Sequence, residues 1–300
     1  MAVLPAATRA DEARPVRIVV PAPPGGNLDL QARMLATRLS AATQDTYVVE
    51  NRPGADTTIG SEFVARSAPD GRTLLIHGTG GVINAWTQKT RFSFMDELRP
   101  VALVSNSRFV LVSLADSPLD SILSLADAAG SRPQGLNCAA PPGPMALACE
   151  QLRVKFANKV TTVPYPGIGP ALAALLGRHV DFMFANFEGV QALLDSGRLR
   201  ALAATSALPN YHAMALAQVW PDLVMESFVG LFAQVGTPTD TVRRITRQVN
   251  EVLGDPAFVA ALRAAGVEPA TATTEQFEEL VRRAHARYGV VVQRLGLARP

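Results

Sequence analysis

The sequence predicts an α/β protein built as two similar lobes facing a cleft, on three observations. Short β-rich runs alternate with stretches of helical apolar spacing, the pattern that builds mainly parallel sheets flanked by helices. A proline- and glycine-rich loop between a strand and a helix occurs twice, about 120 residues apart, at positions 21–26 and 141–144. The chain has 300 residues, 48% hydrophobic and 18% charged, enough apolar material for two domains of ordinary size.

The first unit opens with a strand at 17–20 that stops at Pro21-Ala22-Pro23-Pro24-Gly25-Gly26, and a helix over 29–40 follows with Leu30, Met34, Leu35 and Leu39 on one side. A strand at 47–50, a turn at 51–54, a helix over 59–67 and a strand at 73–77 come next. Strands at 101–104 and 110–113 and a helix near 121–129 lead into the second unit. That unit has a strand at 136–139, its loop, a helix over 145–156 and a strand at 160–163 running into Tyr165-Pro166-Gly167-Ile168-Gly169-Pro170. A helix begins at 171–176, and strands at 180–185 and 201–205 complete the set. The C-terminal part is helical over 239–253, 256–265 and 274–295, with Thr274 and Glu275 as a start signal. These helices are expected to pack back on the first lobe and make it discontinuous.

Bulk charge excludes some partners. The 28 basic and 26 acidic side chains nearly cancel, so nothing in the net charge recommends nucleic acid or an anionic membrane. No apolar run approaches the roughly 20 residues of a membrane-spanning helix. Positions 1–10 are Ala-rich without a basic n-region or apolar core, as in a trimmed export signal or a ragged cytoplasmic start. Cys138 and Cys149 pair in an oxidising compartment or stay reduced; their strand and helix placement favours unpaired burial, with Cα atoms too far apart to bridge.

Catalytic signatures do not stand out. There is no Gly-x-Ser-x-Gly elbow, His-Glu-x-x-His helix or Gly-x-x-x-x-Gly-Lys loop, and no histidine has a metal-ligand partner at the usual spacing. Gly78-Thr79-Gly80-Gly81 follows a strand but lacks the third glycine of the dinucleotide fingerprint. His77 ends a strand expected to point at the cleft. The loops say more: Pro-Pro-Gly-Gly before a helix leaves the first backbone N–H groups unpaired and lets an anion approach, favouring a carboxylate or phosphate. Asp29 is expected to cap its helix. No cofactor is implied. An enzyme using Asp29, His77 or Asp181 as acid or base, and a sensor that passes a closed state to a signalling partner, are the competing readings.

Taken together, the blocks resemble the Bug-type solute receptors of the tripartite tricarboxylate transporters. They are Arg14-Pro15-Val16-Arg17-Ile18-Val19-Val20-Pro21 with Pro23-Pro24-Gly25-Gly26 and Asp29; Val48-Val49-Glu50-Asn51-Arg52-Pro53-Gly54-Ala55 with Ile59-Gly60; and Ala68-Pro69-Asp70-Gly71. Val163-Pro164-Tyr165 with Gly167, Leu175-Leu176-Gly177, Val180-Asp181, Gly197-Arg198-Leu199 and Gly236-Thr237-Pro238 continue the match over nearly the whole chain from Arg14. The resemblance implies a two-lobed fold of the periplasmic binding protein type. Its first lobe would comprise residues 14–105 and 230–300 and its second 106–229. It also implies a monomeric, non-catalytic periplasmic receptor that closes over a small carboxylate ligand and hands it to membrane transporter subunits.

The site residues that the resemblance implies are Pro23, Pro24, Gly25, Gly26, Asn27 and Asp29 on one side and Tyr165, Gly167 and Asn186 on the other, with His77, Gly78, Thr79 and Asn84 in a loop after the third strand. Several positions depart from the family pattern. Leu28 replaces a hydroxyl residue, Pro166 the usual Lys, and Asp56 and Thr57 small glycines, so ligand identity does not carry over from any relative.

Overall fold

The computed structural model describes residues 14–298 apart from 142, 207 and 209. The export-signal remnant expected at positions 1–10, and Pro142 of the second loop, lie outside the described residues. In the first unit the chain runs β1 (Val16–Val20), α1 (Asn27–Ala42), β2 (Tyr47–Asn51), α2 (Thr58–Ala65), β3 (Thr73–Gly78), α3 (Thr79–Thr87), α4 (Phe94–Glu97) and β4 (Leu98–Asn106). It crosses into β5 (Phe109–Leu114), α5 (Ile122–Ser131), β6 (Leu136–Ala140), α6 (Pro144–Lys155), β7 (Val160–Pro164) and α7 (Ile168–Leu176). The second unit ends with β8 (Phe182–Asn186), α8 (Phe187–Asp195), β9 (Leu199–Ala204), β10 (Met214–Ala215) and α9 (Leu216–Val219). A second crossing returns the chain to β11 (Phe228–Gln234), α10 (Thr239–Leu253), α11 (Pro256–Ala264) and α12 (Thr274–Arg294).

Two mixed, mainly parallel sheets result, ordered β2-β1-β3-β11-β4 and β10-β9-β5-β8-β6-β7. In the first, β11 lies antiparallel between β3 and β4; in the second, β5 lies antiparallel between β8 and β9. Helices cover both faces of each sheet, which is why strands such as β1 and β3 are nearly continuous apolar runs. Leu35 and Leu39 of α1, Ile245 and Val249 of α10 and Leu262 of α11 fill one face of the first sheet. Val64, Val82, Phe94, Phe277 and Val281 from α2, α3, α4 and α12 fill the other. The second sheet is covered by Ile122, Leu152 and Leu216 on one face and by Leu175 and Val190 on the other.

The two crossings lie side by side, with Ser107 N–H donating to the Ser227 carbonyl at 3.0 Å. Helix α12 braces the second crossing: Tyr288 Oη donates to the Glu226 carbonyl at 2.7 Å and accepts from its N–H at 3.0 Å, and Arg287 pairs with the Glu226 carboxylate. Arg243, Arg244, Arg247, Arg282, Arg283 and Arg287 of α10 and α12 are all solvent-exposed.

Two expectations are corrected and one strand is added. The loop expected at 78–84 is the start of α3. Its glycines sit in the first turn, and Val82 and Ile83 bury themselves while Trp86 packs over Gly289 of α12 and donates to the His285 carbonyl at 2.9 Å. Strand β11 was not anticipated, because Phe228–Gln234 is apolar on both faces and shows no alternation; a side chain at Gly230 would meet the Phe277 ring. Cys138 and Cys149 form a disulfide, contrary to the unpaired burial expected for them. The tight turn before α6 folds that helix directly back on β6, which brings their Cα atoms to 5.9 Å, inside bridging range.

Candidate functional site

The N-terminus of α1 is held open by a buried carboxylate. Gly25 takes φ of +88°, a conformation that glycine adopts without strain, and the chain enters the helix through Gly26, which has no side chain to cap it. Asp29 is not the cap. It sits at the third helical position, 4% exposed, and its Oδ2 accepts from Gly25 N–H at 2.9 Å and Arg33 Nε at 3.0 Å while Oδ1 accepts from Asn51 Nδ2 at 2.8 Å. Asn51 also donates to the Ala22 carbonyl, so the loop is pinned at both ends. The Arg33 hydrogen bond, with those of Gly25 and Asn51, outweighs burial and lowers the Asp29 pKa to about 2. Asp29 therefore shapes the loop from beneath, and Pro23, Pro24, Gly25, Gly26 and Asn27 are the exposed surface it presents.

Asn27 is oriented by a short relay. Ser105 Oγ donates to Gln31 Oε1 at 2.8 Å, which leaves Gln31 Nε2 to donate to Asn27 Oδ1 at 3.1 Å. Gln31 and Ser105 are each 2% exposed, so the relay is fixed by packing. The consequence is that Asn27 turns its NH2 group outward, as a donor.

Across from this surface, Gly167 precedes α7 and Asn186 precedes α8, and neither cap residue makes a side-chain cap bond. Asn27 and Gln31 of α1, Ile168 of α7, Asn186 and Gly189 of α8, and Ser105 and Ser107 at the first crossing line one cavity of about 410 Å³. Its remaining wall is 264–268, where Glu268 is neutralised by Arg108 at 3.3 Å and Arg263 at 2.8 Å. Three helix N-termini thus face one space, an arrangement that attracts an anion, although the first N–H of α8, that of Phe187, donates to the Arg108 carbonyl at 2.8 Å. Tyr165 is half-buried just before α7, and Gly167 has open space where a side chain would project.

The residues expected after the third strand lie elsewhere. A Cβ on Gly78 would stand 2.4 Å from the Phe228 carbonyl oxygen, and Thr79 Oγ1, 1% exposed, accepts from Phe228 N–H at 3.1 Å. Both stitch β3 to β11. His77 is 2% exposed and does not point at the cleft as expected; burial lowers its pKa to about 4, and Gly78 N–H donates to its Nδ1 at 2.8 Å. The ring is therefore neutral with its proton on Nε2, which donates to Thr57 Oγ1 at 2.9 Å. Asn84 Nδ2 donates to the Asp56 carbonyl at 2.7 Å and to Thr57 Oγ1 at 3.3 Å. Ala55, Asp56 and Thr57 take φ of 44°, 47° and 73°, three successive left-handed residues without a glycine, at about 1–2 kcal/mol each.

Thus, of the expected residues, Asn27 and Asn186 line one cavity; Pro23 to Gly26, Tyr165 and Gly167 precede its lining residues Asn27 and Ile168 in the chain without being part of the lining, and His77, Gly78, Thr79 and Asn84 are not part of it either. Sequence reasoning missed Gln31, Ser105, Ser107 and Gly189. Gln31 carried a signal, since it lies one helical turn after Asn27, within side-chain reach. Among the described residues, no three His, Cys, Asp or Glu side chains are grouped to hold a metal ion.

Two α/β lobes joined by paired crossings, with helix N-termini facing a cavity at the crossing, define the class of solute-binding receptors. More particularly, the chain belongs to the tripartite tricarboxylate transporter family receptors, whose family model matches residues 31–297. Protein BugT of Bordetella pertussis is 31% identical over 302 residues, covering 95% of this chain and 90% of that protein. The periplasmic binding protein BugD superposes with a TM-score of 0.78 at 26% identity, covering 96% and 99% of the two chains. An R. palustris protein solved with adipate gives 0.80 at 28% identity, covering 95% and 98%. MatC of Rhodopseudomonas palustris, solved with bound malate, gives 0.75 at 26%, covering 93% and 99%.

Proposed function

We propose that this receptor captures a small carboxylate in the cavity between its lobes and delivers it to the membrane subunits of a tripartite tricarboxylate transporter. The observation that carries this reading is the relay that turns the Asn27 NH2 group outward beside the uncapped N-terminus of α1. A carboxylate there meets a side-chain donor and the first-turn N–H groups together, each charge-assisted bond contributing about 1.5–3 kcal/mol. Pro23, Pro24, Gly25 and Gly26 form the first-lobe wall, and Tyr165, Gly167 and Asn186 supply the second. Relatives solved with adipate and malate support a dicarboxylate.

The expected bounds, residues 14–105 with 230–300 and residues 106–229, shift by one or two residues, since Asn106 ends β4 and Phe228 begins β11; the moving bodies are the two sheets with their helices, hinged at the two crossings. The protein acts as a monomer, in the periplasm, where the disulfide is at home. It binds without turnover. The groups an acid–base mechanism would use are committed elsewhere: Asp29 to the loop, His77 to Thr57, and Asp181 to Arg132 and the Asn137 N–H.

Titration calorimetry with malate and adipate tests the reading. Wild type is expected to bind at least one of them saturably, and Asn27→Ala to weaken that binding about tenfold. Absence of binding to both acids, or unchanged affinity in Asn27→Ala, contradicts it.

A further inference from the structure

The first lobe holds a second cavity, of about 280 Å³, between α2 on one side and α3, α4 and the segment joining them on the other. It shares no lining residue with the cavity at the crossings. The hydrogen bonds of Thr57, in its wall, leave a donor over. His77 is neutral with its proton on Nε2, so Thr57 Oγ1 accepts from His77 and from Asn84 and has both lone pairs occupied. The Thr57 hydroxyl proton has no acceptor among the described residues, and Thr57 lines the cavity. The left-handed run that ends at Thr57 places this hydroxyl there.

The rest of the lining sets size and charge. Phe92 and Phe94 form an apolar wall. Gly81 brings α3 so close that a Cβ there would lie 2.5 Å from the Phe94 ring and 3.0 Å from His77 Nε2, which narrows the space to a slot. Glu97 is paired with Arg66 at 2.6 Å and accepts from Ser93 N–H, while Arg91 is solvent-exposed and its charge screened. Apart from the solvent-exposed Arg91, the slot therefore offers no free charge to meet an ion, and its buried end at His77, Phe92 and Phe94 is uncharged.

We propose that this slot is a second binding site, distinct from the carboxylate cleft, for a small uncharged molecule with a flat apolar body and one acceptor oxygen that takes the Thr57 hydroxyl proton. The body lies against Phe92 and Phe94, and the acceptor, an amide, ketone or ether oxygen, points to Thr57.

Benzamide is the probe, because it has this shape and no charge for the cleft. In NMR spectra of the full chain, about 10 mM benzamide is expected to shift the His77 ring and Asn84 side-chain resonances saturably, as suits a millimolar fragment. Thr57→Ser retains the hydroxyl and should retain binding; Thr57→Val should weaken it at least about fivefold, the loss of one hydrogen bond. Ala85→Leu fills the slot and should abolish benzamide binding while leaving malate or adipate binding as in wild type. The proposal is overturned if benzamide leaves His77 and Asn84 unmoved, if it binds Ala85→Leu as it binds wild type, or if a folded Thr57→Val binds as tightly as Thr57→Ser.

Discussion

His77 and Asp29 show how one chain uses two buried titratable groups for opposite ends. Asp29 is buried charged, because three donors replace its water; His77 is buried neutral, because its partners are a backbone N–H and a hydroxyl. Both have folded-state pKa values below the ordinary ones, about 2 for Asp29 and about 4 for His77. A depressed pKa means that the unfolded chain takes up protons first, so stability falls as pH falls through the interval between the two values. For His77 that interval runs from 6.5 down to about 4, and for Asp29 from 3.8 down to about 2, so the losses are separate in pH. Denaturant unfolding between pH 7 and pH 4 should therefore show a decline of about 3 kcal/mol from His77. His77→Gln should flatten that decline; an unchanged slope would show that His77 is not buried neutral. Neither role was legible in the sequence. A histidine at a strand end reads as a cleft residue, and only β11 lying against Gly78 and Phe94 against the ring make it an interior one.

At the scale of elements, the sequence was most readable where apolar spacing met a clear stop. The α1 helix, the C-terminal helices and the β1 strand follow from spacing and from the proline and glycine clusters that end them. Elements whose stability comes from distant partners were hidden: α3 begins with glycines that look like a loop and is fixed by α12, and β11 is fixed by the strands on either side. The disulfide belongs here too, since it staples α6 to β6 across 11 residues. A closed loop of that length contributes about 3 kcal/mol by restricting the unfolded chain. Replacing both Cys138 and Cys149 with Ala should lower stability to denaturant by about that amount and leave affinity for the carboxylate near wild type, because both side chains are buried in the core of the second lobe. A double variant as stable as wild type would mean that the bond adds nothing to the fold.

At the scale of the molecule, two sheets, two crossings and a brace from α12 to Glu226 place the openings of three helices around one cavity. The two-lobed plan was visible in the repeated strand-loop-helix units. The loop from Pro23 to Asn27, which belongs to the first of those units, was visible with it, whereas Tyr165 and Gly167 of the proposed site came from the family resemblance. The relay through Gln31 and Ser105 was not visible, because it joins residues 74 positions apart that meet only where the start of α1 reaches the end of β4. The most direct measurement is a crystal structure of the protein with malate or adipate. A carboxylate oxygen is expected at hydrogen-bond distance, about 3 Å, from Asn27 Nδ2 and the first-turn N–H groups of α1. Tyr165 to Ile168 should close on it from the other lobe. A bound acid that touches neither Asn27 nor the α1 N-terminus would contradict this account.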